Sequence, residues 1–138
     1  MIEKAIEIAK SRSVPPRRVR PSFYRITAIL TNKKGRILSI GLNSYSKTHP
    51  RQKVWLQRYQ KPRERVFLHA EMDAIISCDE IEQAHSIYVA AVTRGGNLTL
   101  ARPCEEICYP EIRWNTNVKY VYFTTRTGEV AREKVGRS

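Results

Sequence analysis

Two short stretches carry most of the chemistry in this 138-residue chain. In Phe67-Leu68-His69-Ala70-Glu71-Met72-Asp73-Ala74-Ile75-Ile76, His69 and Glu71 stand at the start of an apolar-rich segment that reads as a helix. Further on, Pro103-Cys104-Glu105-Glu106-Ile107-Cys108 supplies two thiols. One imidazole and two thiolates suit Zn²⁺ and leave a fourth coordination position for water. Glu71 neighbours a ligand without being needed as one, so its carboxylate is free to move protons. A metal lowers the pKa of its water toward neutrality, and Glu71 can take that proton and hand it to a leaving amine. These are the parts of a hydrolytic zinc centre.

Each motif alone arises easily by chance; their order, each opening a helix after a strand or loop, is more specific. A purely structural zinc site would recruit a fourth protein ligand. Beyond His49, Cys78 and His85 the sequence offers none. Cys78 falls on the apolar stripe of the second helix and reads as a small core residue. His85 reads as a polar edge residue.

The charge is lopsided, at +12. Residues 8–63 hold fifteen Lys or Arg and no acid, whereas Glu64 to Glu111 holds nine of the thirteen acids. A basic half predicts an anionic partner, a nucleotide phosphate or a polynucleotide. Three cysteines make no disulfide framework, no secretory signal appears and no apolar run is long enough to cross a membrane. The expected compartment is the reducing cytoplasm, which keeps Cys104 and Cys108 as thiols.

Around these groups the chain reads as one domain over residues 1–138. Ile2, Ala5, Ile6 and Ala9 recur at helical spacing. Val14-Pro15-Pro16 breaks that helix, and Arg17, Arg18 and Arg20 form either a solvated connector or a phosphate-facing arm. Phe23–Leu30 and Arg36–Gly41 form a hairpin around Thr31-Asn32-Lys33-Lys34-Gly35. Neither strand alternates cleanly, which predicts a sheet covered on both faces. The long connection from Leu42 to Arg65 carries Lys47, Arg51, Lys53, Arg58, Lys61, Arg63 and Arg65, interleaved with Tyr45, Trp55 and Tyr59; a short helix is expected over Val54–Tyr59. Such a loop offers phosphate clamping and base stacking, or is packed on its own aromatics with solvated charges. The second helix runs from His69 to near Gln83, and a third strand spans His85–Val92. Cys104 opens a third helix behind Pro103, kinked or restarting near Pro110. Val118–Phe123 is a fourth strand, and Glu129–Val135 a fifth strand or a last helix. The order predicts an α/β fold, a three-layer α/β/α sandwich with a central mixed sheet of about five strands.

With these residues in place, the chain resembles the cytidine deaminase-like superfamily of zinc hydrolases, whose signature is His-x-Glu followed by Pro-Cys-x-x-Cys. The resemblance runs from about the first strand to the fourth. It implies that His69, Cys104 and Cys108 hold zinc and that Glu71 is the general acid and base. It further implies that the Ala70 backbone N–H holds the pyrimidine carbonyl, that the Arg102 carbonyl accepts the exocyclic amine, and that Asn43 contacts the sugar. The chain departs from the pattern by placing three residues between Cys104 and Cys108. Residues at i+3 and i+4 share a helical face, so Cys108 stays a ligand. Histidine as the first ligand is similar to the deoxycytidylate, polynucleotide and transfer-RNA adenosine branches. The short tail with its turn at Gly128 is similar to the antiparallel ending of the free-nucleoside branch.

The leading expectation is hydrolytic deamination of a cytosine nucleotide of the dCMP or dCTP type, with Lys47 and Arg51 among the phosphate-binding residues. The alternative is a deaminase acting on cytosine or adenine in single-stranded DNA or RNA, favoured by the charge and the loop aromatics. A non-catalytic, zinc-stabilised nucleic-acid-binding module would leave Glu71 without a use. No membrane partner is expected, and homo-oligomerisation is left open.

Overall fold

The computed structural model describes residues 1–18, 23–46, 48–52 and 67–136. The expected helix over Val54–Tyr59, and Arg20, Lys47, Lys53, Trp55, Lys61, Arg63 and Arg65, lie outside the described residues.

Helix α1 (Ile2–Ser11) leads through a proline-containing stretch to strands β1 (Arg25–Thr31) and β2 (Ile37–Leu42). Asn32 sets the turn between them. Its side-chain oxygen accepts the Lys34 and Arg36 N–H groups, and Gly35 takes φ +88°, which favours glycine. Helix α2 (Ala70–Ile76) and a 3-10 turn (Ile81–Gln83) precede β3 (Ser86–Val92) and the short β4 (Leu98–Thr99). Helix α3 (Cys108–Asn115), β5 (Tyr120–Thr124) and β6 (Val130–Lys134) complete the order.

The strands form one mixed sheet, β2-β1-β3-β5-β6, with β4 paired to the end of β3. β1 runs antiparallel to β2 and β3, β3 and β5 are parallel, and β6 returns antiparallel to β5. The alternation of side chains across the pleat builds two cores. Ile29 and Ala90 face α1 and pack on Ile2 and Ala5. Ala28, Leu30, Ile87, Val89, Val121 and Phe123 face the other way, onto Ala70, Ala74, Ile75 and Ile112 of α2 and α3. The expected three-layer α/β sandwich with a mixed sheet is therefore present, and residues 130–134 settle as strand. Cys78 lies buried in the second core, as expected, although it falls just beyond the end of α2 rather than on it.

One expected boundary is corrected, one strand is new, and one alternative is settled. The second helix ends at Ile76 rather than near Gln83, and a separate 3-10 turn follows. Strand β4 was not foreseen; two residues carry no periodicity, and they form strand only by pairing with Ala91 and Val92. The third helix starts at Cys108, matching the expected restart near Pro110 rather than a continuous helix from Cys104. Pro110 explains this, because proline is tolerated only in a first helical turn, and starting at Cys108 places it there. Among the described residues, no helix is long and apolar enough to cross a membrane.

Candidate metal centre and cleft

His69 is the residue immediately before α2, in extended conformation, and Glu71 is the second residue of that helix. The helix is held tightly to the sheet. Ser39 Oγ donates to the Ala74 carbonyl at 2.6 Å, and Asp73 accepts the Leu42 N–H at 2.9 Å. Gly41 makes the approach possible: a Cβ there would lie 2.2 Å from the Ala70 oxygen and 2.3 Å from the Ala74 nitrogen.

The cysteine element is anchored through β5. Thr124 Oγ1 donates to the Thr99 carbonyl at 2.7 Å, its backbone oxygen accepts the Ala101 N–H at 3.0 Å, and its hydroxyl oxygen accepts the Ala91 N–H. This pins the strand end that leads into Pro103 and Cys104. The three-residue spacer is absorbed in a wide turn, closed by the Tyr109 N–H donating to the Cys104 carbonyl at 2.9 Å. Cys108 thereby becomes the first residue of α3.

The donor atoms of His69, Cys104 and Cys108 all lie within 4.8 Å of one another. His69 Nδ1 sits 3.3 Å from Cys108 Sγ and 3.6 Å from Cys104 Sγ. Adjacent nitrogen and sulfur ligands of a tetrahedral zinc are separated by about 3.6 Å, given bond lengths near 2.0 and 2.3 Å. The three residues thus fit such an ion in both donor chemistry and spacing. Cys104 is predisposed to be a thiolate: hydrogen bonding from Cys108, reinforced by His69, brings its pKa down to about 4 against the opposing effect of burial. Burial first, and the neighbouring Cys104 and Glu71 next, keep the Cys108 thiol well above its ordinary value.

Glu71 is 6% exposed and stands outside that donor set. Burial raises its carboxyl to about 7; His69 opposes the rise and Cys104 adds to it. A carboxyl that gains and loses a proton near neutrality, beside a group able to activate water, has the properties of a general acid and base.

His69, Glu71 and Cys104 line a cleft of about 260 Å³. Phe23, Tyr24, Phe67, Leu68 and Leu100 provide apolar walls, and Asn43, Ser44 and Arg102 provide polar groups. Asn43 is largely committed to the fold. Its side-chain oxygen accepts from Arg12 and from the Ile26 N–H, and Nδ2 donates to the Tyr24 carbonyl. Arg102 turns its guanidinium to Glu133 at 3.0 Å and Glu105 at 2.5 Å. Arg102 nonetheless lines the cleft. Ala70 is fully buried at the start of α2. Arg51 pairs with the buried Glu111 of α3, and Lys47 lies outside the described residues. His85 is half-buried, its Nδ1 3.1 Å from Ser86 Oγ.

The architecture has known counterparts. A solved cytidine deaminase from Burkholderia pseudomallei aligns over 96% of this chain and 89% of its own, with TM-score 0.59 and 16% identity. The chain has the cytidine deaminase fold. A glutamate-to-glutamine variant of the cytidine deaminase from Mycobacterium tuberculosis aligns over 99% of this chain and 88% of its own, with TM-score 0.52 and 16% identity. No protein-family model and no curated protein sequence matches the chain. At this identity the likeness to cytidine deaminases is one of fold, so any activity must be argued from the cleft itself.

Sequence reasoning missed Gln52, Glu111 and Arg12, which hold the site from outside. Glu111 left a faint signal as an acid three residues after Cys108 in a segment otherwise expected to pack; Gln52 and Arg12 left none.

Proposed function

We propose that the chain is a zinc-dependent hydrolytic deaminase that converts a cytosine nucleotide, of the dCMP or dCTP type, to the uracil nucleotide and ammonia. One observation carries this reading: a buried carboxyl, Glu71, stands beside three converging zinc-type donors at a cleft with apolar walls. Zinc bound there would supply an activated water. Glu71 would accept a proton from that water and deliver it to the departing amine. The Arg102 carbonyl would hold the exocyclic amine, the Ala70 N–H the ring carbonyl, and Asn43 the sugar. The aromatic and aliphatic walls would take the ring out of water. Lys47 and Arg51 are the candidates for phosphate, with Arg51 exchanging part of its contact to Glu111 for the ligand.

A second reading, deamination of cytosine or adenine in single-stranded DNA or RNA, is favoured by the +12 charge and by Tyr24 and Tyr45, exposed in the segments that lead to the cleft.

Ammonia release from zinc-loaded protein offered cytidine, dCMP, dCTP and a cytosine-containing DNA strand in parallel tests both. Turnover of the mononucleotides, with mild salt dependence, supports the first reading. Preference for the strand, with rates falling steeply as salt rises, moves the second ahead. Absence of turnover on all four contradicts the first reading and confines the second to adenine or RNA.

A further inference from the structure

Gln52 is fully buried, although glutamine is a residue that normally prefers the surface. Its side-chain amide donates through Nε2 to the Phe67 carbonyl at 2.6 Å and accepts through Oε1 from the His69 N–H at 2.9 Å. One amide thus meets the carbonyl of one residue and the N–H of the residue two positions later, as a neighbouring β-strand would. Those two bonds fix the backbone on either side of Leu68 and so set where His69 sits and how the chain enters α2, whose second residue is Glu71.

The adjacent residue reaches the other half of the site. Arg51 pairs with Glu111, one helical turn after Cys108 on α3, and Glu111 also accepts from Asn115 Nδ2 at 2.7 Å. His49 ties the segment together, its carbonyl accepting the Gln52 N–H and its Nδ1 accepting the Arg51 N–H. Two consecutive side chains therefore grip the two separate elements that bring the metal ligands. Neither belongs to the donor set itself.

We propose that Gln52, with Arg51 as its companion, is a positioning residue that holds His69 and Glu71 in register with Cys104 and Cys108. Only an amide can fill the place of Gln52. An ionised carboxylate cannot donate to the Phe67 oxygen, a thioether can neither donate nor accept usefully, and asparagine is one methylene too short. The role rests on the reading of His69, Cys104 and Cys108 as a metal centre, and the experiment separates the two.

Zinc affinity is measured by chelator competition on wild type, Gln52→Met, Gln52→Glu and a control, Val118→Ala, which opens the buried core away from the ligands. The same proteins are loaded with Co²⁺, whose visible absorption reports tetrahedral coordination. Partners that orient metal ligands typically cost about 10- to 100-fold in metal affinity when removed. We expect Gln52→Met and Gln52→Glu to lose affinity in that range with a weakened Co²⁺ band, and Val118→Ala to keep both while melting earlier. Glu111→Gln should give a smaller loss of the same kind. Wild-type affinity and band in both Gln52 variants would overturn the positioning role, as would an equal loss in Val118→Ala. A wild type that binds neither metal would instead overturn the metal centre.

Discussion

The guanidinium of Arg12 donates to the side-chain oxygen of Asn43 at 2.7 Å, and a second nitrogen donates to the Asn43 backbone carbonyl at 2.7 Å. The first nitrogen also reaches the Ile26 carbonyl. With the Ile26 N–H on the same side-chain oxygen, Asn43 has its acceptor filled and one N–H remaining. Any ligand contact made by Asn43 is then a donated hydrogen bond, which suits the oxygen of a sugar or phosphate. The residue at the end of α1 thereby reaches the cleft through its neighbour.

Arg12→Lys should separate binding from chemistry. A lysine ammonium is a point charge and cannot reproduce the planar fork that spans three oxygens. The expected cost is about 1 to 2 kcal/mol of stability. In the nucleotide assay, KM should rise several-fold with kcat nearly unchanged, since Asn43 is assigned to the sugar and not to the reacting atoms. A fall in kcat at constant KM would contradict this assignment.

The close approach at Gly41 makes a second expectation. In Gly41→Ala the new methyl would collide with the backbone of Ala70 and Ala74, which cannot rotate away as a side chain can. Helix α2 must shift, carrying His69 and Glu71 with it. Overpacking of this kind costs about 1 to 3 kcal/mol. Thermal melting with zinc titration should show earlier unfolding and weaker metal binding together. Gly136→Ala, where nothing crowds the added carbon, should leave both unchanged.

Glu71 also predicts how metal-free protein responds to pH. Its carboxyl titrates near 7 when folded and near 4.5 when exposed. Between those values the unfolded chain releases a proton that the folded chain retains, so rising pH favours unfolding. The penalty is absent below about 4.5 and complete above about 7, on the order of 3 kcal/mol. Cys104, depressed to about 4, pulls the other way over the same range. Comparing chelated wild type with chelated Glu71→Gln isolates the carboxyl. In urea unfolding, the stability advantage of the glutamine variant should widen from acid to neutral pH. A constant difference would contradict it.

The sequence exposed those parts of the fold and site that depend on local chemistry. The hairpin was readable because Asn32 and Gly35 are turn residues between β-rich runs. The grouping of His69, Cys104 and Cys108 was readable because an imidazole followed by two thiols is a compact code for a candidate metal site, and the structure brings the three donors together. The start of α3 was legible only as two alternatives, because Pro103 permits a helix from Cys104 while Pro110 favours a restart, and packing selects the restart. The supports of the site were unreadable for a different reason. Gln52 reaches Phe67 and His69, Arg12 reaches Ile26 and Asn43, and Glu111 meets Arg51, and neither their own type nor their sequence neighbours announces such contacts. Arg51 shows the same limit: its type suggests an anion partner, but nothing in the sequence shows that Glu111, sixty positions on, is one such partner.

The most direct test compares wild type with Glu71→Gln, both confirmed to carry zinc, by following loss of the cytosine chromophore and release of ammonia from dCMP. Glutamine keeps the shape of the side chain but cannot shuttle a proton. The wild type should turn over, and the variant should hold its zinc while losing activity by a factor of about 10² to 10⁴ or more. Equal turnover by the two proteins, or an inactive wild type with zinc in place, would contradict the assignment of Glu71 and this cleft to deamination.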